Sequence, residues 1–386
     1  MSFAFSSVKK ITIPEGTVKQ ITRASDGTVL WEKIKELAYY GRATSLSVRR
    51  YDLAATTVGN YALFGGGDGD DGISADVDAY NTSLTRSIPT ALSEERHSLA
   101  ATTVGNYALF GGGTIYNDAS YTVDAYNNSL TRSIATKLTN RTESLAATTV
   151  GNYALFGGGH DPDFTTVNSV DVYNASLTKT TATGLIMARR ALAATTVGNY
   201  AVFAGGADAL YTTIYGNVDA YDTSLTRSTP TVLSKARHRL AATTVGNYAL
   251  FGGGSDKPYT PYDASYDKGY DTVDAYNTSL TRSTATNLSA GRHSLAATTV
   301  GNYALFGGGA GKYERYYEYH IGVTDIVDAY DTSLTRTTAS ELSYSRNRLA
   351  AATVGDYALF GGGHNPSNGG GDAYEVDAYT VADTVA

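Results

Sequence analysis

Short apolar runs, β-branched stretches and glycine breaks follow one another in a fixed order along this chain. In residues 99–138, Leu99-Ala-Ala-Thr-Thr-Val104 reads as a short strand, ended by the tight-turn pair Gly105-Asn106. Tyr107-Ala-Leu-Phe110 is a second, apolar strand, broken by Gly111-Gly112-Gly113. Thr122-Val-Asp-Ala-Tyr126 then alternates with period two, and Asn127-Asn-Ser turns the chain into Leu130-Thr-Arg-Ser-Ile-Ala-Thr-Lys-Leu138. Four strands of this size, joined by short turns, predict one antiparallel blade with two apolar faces. Such a unit must stack on neighbours to bury them.

The same order returns seven times, with frames beginning at Leu53, Leu99, Leu145, Leu192, Leu240, Leu295 and Leu349. Their spacings are 46, 46, 47, 48, 55 and 54 residues, the period of a repeat architecture. Between the Gly triplet and the next Val/Ile-Asp-Ala/Val-Tyr lie 9, 9, 10, 11, 18 and 17 residues, and removing these leaves 37 every time. One loop per repeat varies in length against a constant frame. The seventh copy stops after Val376-Asp-Ala-Tyr379, while Leu46-Ser-Val-Arg-Arg50 near the N-terminus matches Leu92-Ser-Glu-Glu-Arg96. Tyr39 to Leu46 therefore reads as the missing fourth strand. The expected fold is all-β: a seven-bladed β-propeller of four-stranded antiparallel blades, the last closed by an N-terminal strand. The expected division is a leader over residues 1–35, a hairpin turning at Asp26-Gly27, and a propeller over 37–386.

Composition narrows the function. A net charge of −7 argues against a broad electrostatic hold on nucleic acid or anionic lipid. No cysteine is present, which removes disulfides, thiolate catalysis and Cys-ligated metals. No apolar run is long enough to span a bilayer, so no membrane insertion is expected. Met1-Ser-Phe-Ala-Phe-Ser-Ser-Val-Lys-Lys10 lacks the pattern of a secretory signal.

Three marks resemble the kelch repeat family: the glycines after the second strand (Gly111-Gly112), the third-strand tyrosine (Tyr126), and an arginine before the first strand (Arg50, Arg96, Arg189, Arg237, Arg292, Arg346). This resemblance implies a β-propeller over about residues 38–380. The kelch tryptophan is absent, Thr142 stands where the third copy's arginine belongs, and the fourth copy reads Ala204-Gly205-Gly206. The leader, with Lys10-Ile-Thr-Ile-Pro-Glu-Gly-Thr-Val-Lys-Gln-Ile-Thr-Arg23 and Thr28-Val-Leu-Trp31, is similar to N-terminal segments of prophage tail-associated proteins of Gram-positive bacteria. That similarity implies a virion or extracellular particle, released by lysis without an export signal, and otherwise a cytoplasmic location. It also implies tail or other structural proteins as partners of the leader.

In a four-stranded blade the second-to-third and fourth-to-first connections emerge on one face, so both variable elements of the repeat fall together. The long loops carry 13 of the 31 tyrosines in 86 of 386 residues, about twice the overall density. Tyrosine among Gly, Ser, Asp and Asn is the composition of an antibody-like binding surface. The candidate ligand contacts are Tyr116, Tyr121, Tyr211, Tyr215, Tyr259, Tyr262, Tyr266, Tyr270, Tyr313, Tyr316, Tyr317 and Tyr319. Arg96, His97, Arg237, His238, Arg292 and His293, in the short stretch before each frame, join them.

Catalytic constellations are poor. The third-strand aspartate (Asp78, Asp124, Asp171, Asp219, Asp274, Asp328, Asp377) recurs in every blade, whereas a catalyst needs one site, so it reads as a structural partner of the arginine. Asp68, Asp70 and Asp71 fall short of a recognised calcium loop. Some kelch-like propellers are copper oxidases or sialic-acid enzymes; no cysteine serves the first here, and no sialidase Asp-box serves the second. The expectation is a non-enzymatic receptor-binding or adhesion protein of a phage tail or tail-like particle, without cofactor or metal. Its variable face would bind a host surface glycan or protein. The alternatives are a protein–protein scaffold and, remotely, a carbohydrate-active enzyme.

Overall fold

A computed structural model describes residues 20–22, 29–116, 118–257, 269–315, 318–365 and 371–385. Among the described residues, seven antiparallel sheets of four or five strands form the blades, each with its first strand innermost, and two short two-stranded ribbons lie in the loops. Blade 1 comprises Ala54–Val58, Tyr61–Gly65, Val77–Asn81 and Arg86–Ser87. Blade 2 repeats it with Ala100–Val104, Tyr107–Gly111, Val123–Asn127 and Arg132–Ile134. Its fourth strand is shorter than the expected Leu130–Leu138. Ala135 still donates its amide to Val123, after which the chain crosses towards the next blade.

Blade 7 is completed from the other end of the chain. Val376–Val385 pairs on one side with Tyr357–Gly361 and on the other with Val29–Arg42. The closing strand is thus longer than the expected Tyr39–Leu46 and lies earlier. Its partner continues past the frame, so Lys33–Leu37 pair with Val381–Val385 beyond the ordinary end of a third strand. Gln20–Thr22 adds a fifth strand by pairing with Val29–Glu32. One strand therefore runs through residue 36, the expected border between leader and ring, and the hairpin is continuous with the last blade.

The core lies between blades. Leu63, Val77 and Ala79 of blade 1 pack on Ala108, Phe110 and Tyr126 of blade 2, with Leu92 and Leu99 from the connection. Phe110 meets Tyr126 edge-on at 5.9 Å, and six other blades repeat this pair. Each tyrosine hydroxyl reaches a backbone carbonyl, Tyr126 that of Thr90 at 2.7 Å, so a large ring is buried without an orphaned oxygen. The glycine triplet permits the approach: a Cβ on Gly65 would stand 2.9 Å from Phe110, and one on Gly66, at φ +68°, 2.5 Å from the Arg96 carbonyl. Blade 4 accommodates Ala204 at the first of these places, packed in the cluster that contains Phe251.

One threonine of each inner strand ties the ring around its axis. Thr57, Thr103, Thr149, Thr196, Thr244, Thr299 and Thr353 each donate a hydroxyl to the backbone carbonyl of the preceding member, and Thr57 closes the circle on Thr353. This repeated threonine is thus a seam between inner strands that share no ladder.

Candidate functional site

Six of the seven third-strand aspartates hold the arginine of their own repeat. Arg50–Asp78 and Arg96–Asp124 are 2.6 Å apart, Arg189–Asp219 and Arg237–Asp274 2.9 Å, Arg292–Asp328 and Arg346–Asp377 2.8 Å. All twelve side chains are almost wholly buried. Burial pulls the Arg96, Arg189, Arg237 and Arg292 guanidinium groups below their ordinary range, while the paired carboxylate pulls back. Arg96 and Arg237 also donate to the carbonyls of Phe110 and Phe251. Arg96, Arg237 and Arg292, expected among the ligand contacts, therefore lie inside the blades. In blade 3, Thr142 replaces the arginine, and Lys179 at 2.9 Å with the Thr139 hydroxyl at 2.6 Å serves Asp171 instead.

The two variable elements do meet. Tyr51 bridges Asp68, His97 bridges Thr114, Glu143 bridges His160, Arg190 bridges Ala207, His238 bridges Ser255, His293 bridges Ala310 and Asn347 bridges His364. In every blade the approach to the first strand is stitched to the start of the long loop.

Immediately inside these bridges lies a second closed circle. The amides of Ser98, Ser144, Ala191, Arg239, Ser294, Arg348 and Asp52 each donate to the carbonyl of the preceding member, at 2.8–3.0 Å. All seven have φ between 51° and 54°, although none is glycine. An L-residue in this region is strained by about 1–2 kcal/mol. The circle of hydrogen bonds offsets that strain and anchors seven side chains around the axis. They rim a cavity of about 390 Å³, into which His97, Glu143, Arg190 and Tyr211 also reach.

The rim is polar and unevenly charged. Arg348 pairs with Asp52 at 3.4 Å; Glu143 receives His160 Nε2 at 3.1 Å and lies 3.7 Å from Arg190. The Tyr211 ring is flanked by the Arg190 and Arg239 guanidinium groups at 4.9 and 5.3 Å, and it meets His238 at 4.7 Å. Burial raises the Glu143 carboxyl above its ordinary range and lowers the His160 imidazole to about 4.

Farther out, Tyr116 is 76% exposed and Phe164 64% exposed. Both have positive φ, as does Tyr211: 45°, 57° and 56°. Three successive loops thus each hold an aromatic side chain in a conformation uncommon for bulky residues. Asp161 and Asp208 fix two of them, each accepting from loop amides: Asp161 from Thr165, Asp208 from Thr212 and Thr213. Leu210 adds an apolar side chain, 70% exposed. Phe164 and Leu210 were hidden from a reading that counted tyrosines; their signal was the Asp-x-x-aromatic spacing of Asp161-Pro-Asp-Phe164 and Asp208-Ala-Leu-Tyr211.

The other candidate tyrosines divide. Tyr121 lies under the Lys137 ammonium at 4.0 Å, which lowers its pKa. Tyr270 packs under Lys235 at 4.6 Å and is pushed up to about 12 by burial and its bond to Asp256. Tyr215 is half-buried and donates its amide to Gly206. Tyr313 and Tyr319 lie on a two-stranded ribbon, Ala310–Arg315 with Glu318–Val323, opposite His320 and Glu314 respectively. Tyr259, Tyr262, Tyr266, Tyr316 and Tyr317 lie outside the described residues.

The three histidines are held by neighbours: His97 and His293 by the following serine hydroxyl at 3.0 Å, and His238 by donation to the Lys257 carbonyl at 2.8 Å. Asp68 accepts the Tyr51 hydroxyl at 2.9 Å. Among the described residues no group of three or more His, Cys, Asp or Glu side chains is placed to hold a metal ion. No helix of the described residues is long and apolar enough to cross a membrane.

No family model matches the chain, and no curated protein matches it. Among solved structures, that of YjhT is similar over 75% of this chain and 97% of its own length, with 14% identity and a TM-score of 0.56. At that identity the likeness establishes the propeller fold.

Proposed function

We propose that this propeller is a non-catalytic binding protein that presents its variable-loop face to a host cell-surface glycan or protein, as a kelch-like receptor-binding component of a phage tail or tail-like particle. The observation that carries this reading is the contrast between the two faces. One bears loops of unequal length with exposed, locally strained aromatics at Tyr116 and Phe164. The other bears the repeated Gly-Asn or Gly-Asp and Asn/Asp-x-Ser-Leu turns. Exposed rings of low side-chain entropy suit stacking on sugar faces and docking on protein.

The terminal strands favour attachment from the opposite side. Third strands run from the variable loops towards the constant face, so the paired extension of Lys33–Leu37 and Val381–Val385 projects from the constant face. A carrier holding this extension leaves the loops facing outward.

The test is binding to bacterial cells and to a glycan panel by the full chain and by a Tyr116→Ala/Phe164→Ala variant. Binding by the parent and its loss in the variant at unchanged melting temperature supports the reading. Equal binding by both, or none by either to any cell or glycan, rejects it.

A further inference from the structure

The axial cavity interrupts the seven-fold sameness more sharply than any other constant-length part of the chain. Its rim positions are Asp52, Ser98, Ser144, Ala191, Arg239, Ser294 and Arg348, held by one backbone geometry yet chemically unlike. The charges are also sorted by blade. Glu143 enters from blade 3 and Asp52 from blade 1, whereas Arg190, Arg239 and Arg348 enter from blades 4, 5 and 7. Among the described lining residues three guanidinium groups accompany two carboxylates: Glu143 lies 3.7 Å from Arg190, and Asp52 lies 3.4 Å from Arg348. The Arg190 and Arg239 guanidinium groups stand 4.9 and 5.3 Å from the Tyr211 ring centroid, which sets an aromatic ring beside two fork-shaped donors.

We propose that the axial mouth is a small-molecule oxyanion site, in which Arg190 and Arg239 bind a carboxylate or phosphate group beside the Tyr211 ring. The cavity of about 390 Å³ falls within the range of small-ligand pockets, roughly 300–1,000 Å³. Planar guanidinium forks match either oxyanion bidentately, and half-buried groups above a floor of seven buried leucines are screened less than in open water. The circle of backbone hydrogen bonds holds Arg239 in place before a ligand arrives. This inference deepens the reading of the loop face as a binding face, but the two fail separately: Tyr116 and Phe164 are not among the residues lining the cavity.

The experiment is calorimetric titration of the full chain at low and at physiological salt with citrate, inorganic phosphate and uncharged glucose. Citrate or phosphate binds and glucose does not. Arg239→Met and Arg190→Met each weaken the anion at least tenfold, and Glu143→Gln tightens it several-fold by removing an opposing charge. Arg141→Met, at an exposed pair with Asp118 outside the cavity, leaves affinity unchanged. Absence of heat with both anions overturns the proposal. So does an equal loss in Arg141→Met, or weakening rather than tightening in Glu143→Gln. If Arg190→Met lowers the melting temperature, Arg239→Met and Glu143→Gln still decide. Tyr116→Ala/Phe164→Ala retains anion affinity whether or not it binds cells.

Discussion

The hydroxyl of Tyr39 donates a 2.7 Å hydrogen bond to Asp377, the aspartate that also accepts from Arg346 in the last blade. Residues 338 positions apart are thereby joined within one sheet, and the Tyr39 ring adds a contact with the Tyr379 ring at 5.3 Å. Closure of the ring rests on this strand.

Removing residues 29–42 is therefore expected to lower the melting temperature sharply, because it strips blade 7 of its outer strand and takes Leu37 and Tyr39 off the cluster between blades 6 and 7, which is left uncovered. Tyr39→Phe is the mild counterpart and costs about 1 kcal/mol, the net worth of one hydrogen bond. Thermal and urea unfolding check both; an unchanged melt for the deletion contradicts closure by this strand.

Breaking a buried pair should be far worse than trimming the surface. Asp219→Asn leaves the Arg189 guanidinium inside blade 4 without its counter-charge, and a destabilisation of about 3–5 kcal/mol is expected. Arg141→Ala, at an exposed pair, changes stability by less than about 1 kcal/mol. Urea midpoints of the two variants give the comparison.

Blade 3 offers an internal control. Lys179 supplies the cation for Asp171, where blades 1, 2, 4, 5 and 6 use a buried arginine together with a second one such as Arg132. Lys179→Met is expected to destabilise more than Arg132→Met, since Asp124 retains Arg96 after the second change. Equal losses measured by urea unfolding would show that Thr139 alone satisfies the Asp171 carboxylate.

The His160 imidazole sits near 4, below its ordinary 6.5, because burial disfavours its charged form and Arg190 adds repulsion. As pH falls, the unfolded chain takes up this proton before the folded chain does. The stability contributed by neutral His160 is thus complete above about 6.5 and is lost as pH falls towards 4. His160→Gln should flatten the stability profile within that window, as read by urea midpoints at successive pH values.

Much of the frame was legible because each repeat states its strands locally. Val123-Asp-Ala-Tyr126 alternates, Gly105-Asn106 turns, and the constant 37-residue spacing left one architecture for the seven copies. The arginine–aspartate pairing was also legible, since both residues recur in nearly every copy. Its consequence was less so: Arg96, Arg237 and Arg292 looked available beside a variable patch, yet their long side chains turn inward to reach Asp124, Asp274 and Asp328. Phe164 escaped notice because its exposure depends on a positive φ set by Asp161, which composition does not reveal.

The chain by itself determined that there are seven blades, which loops vary, and that the ends must complete one another, because these follow from spacing and strand periodicity. Tertiary structure alone decided how far the closing strand runs and that both terminal strands project from the constant face. It also decided that Asp52, Glu143, Arg190, Arg239 and Arg348, scattered over nearly 300 residues, share one cavity. Those relations depend on where seven sheets meet around an axis. Only the closed hydrogen-bonded ring brings the axial residues together.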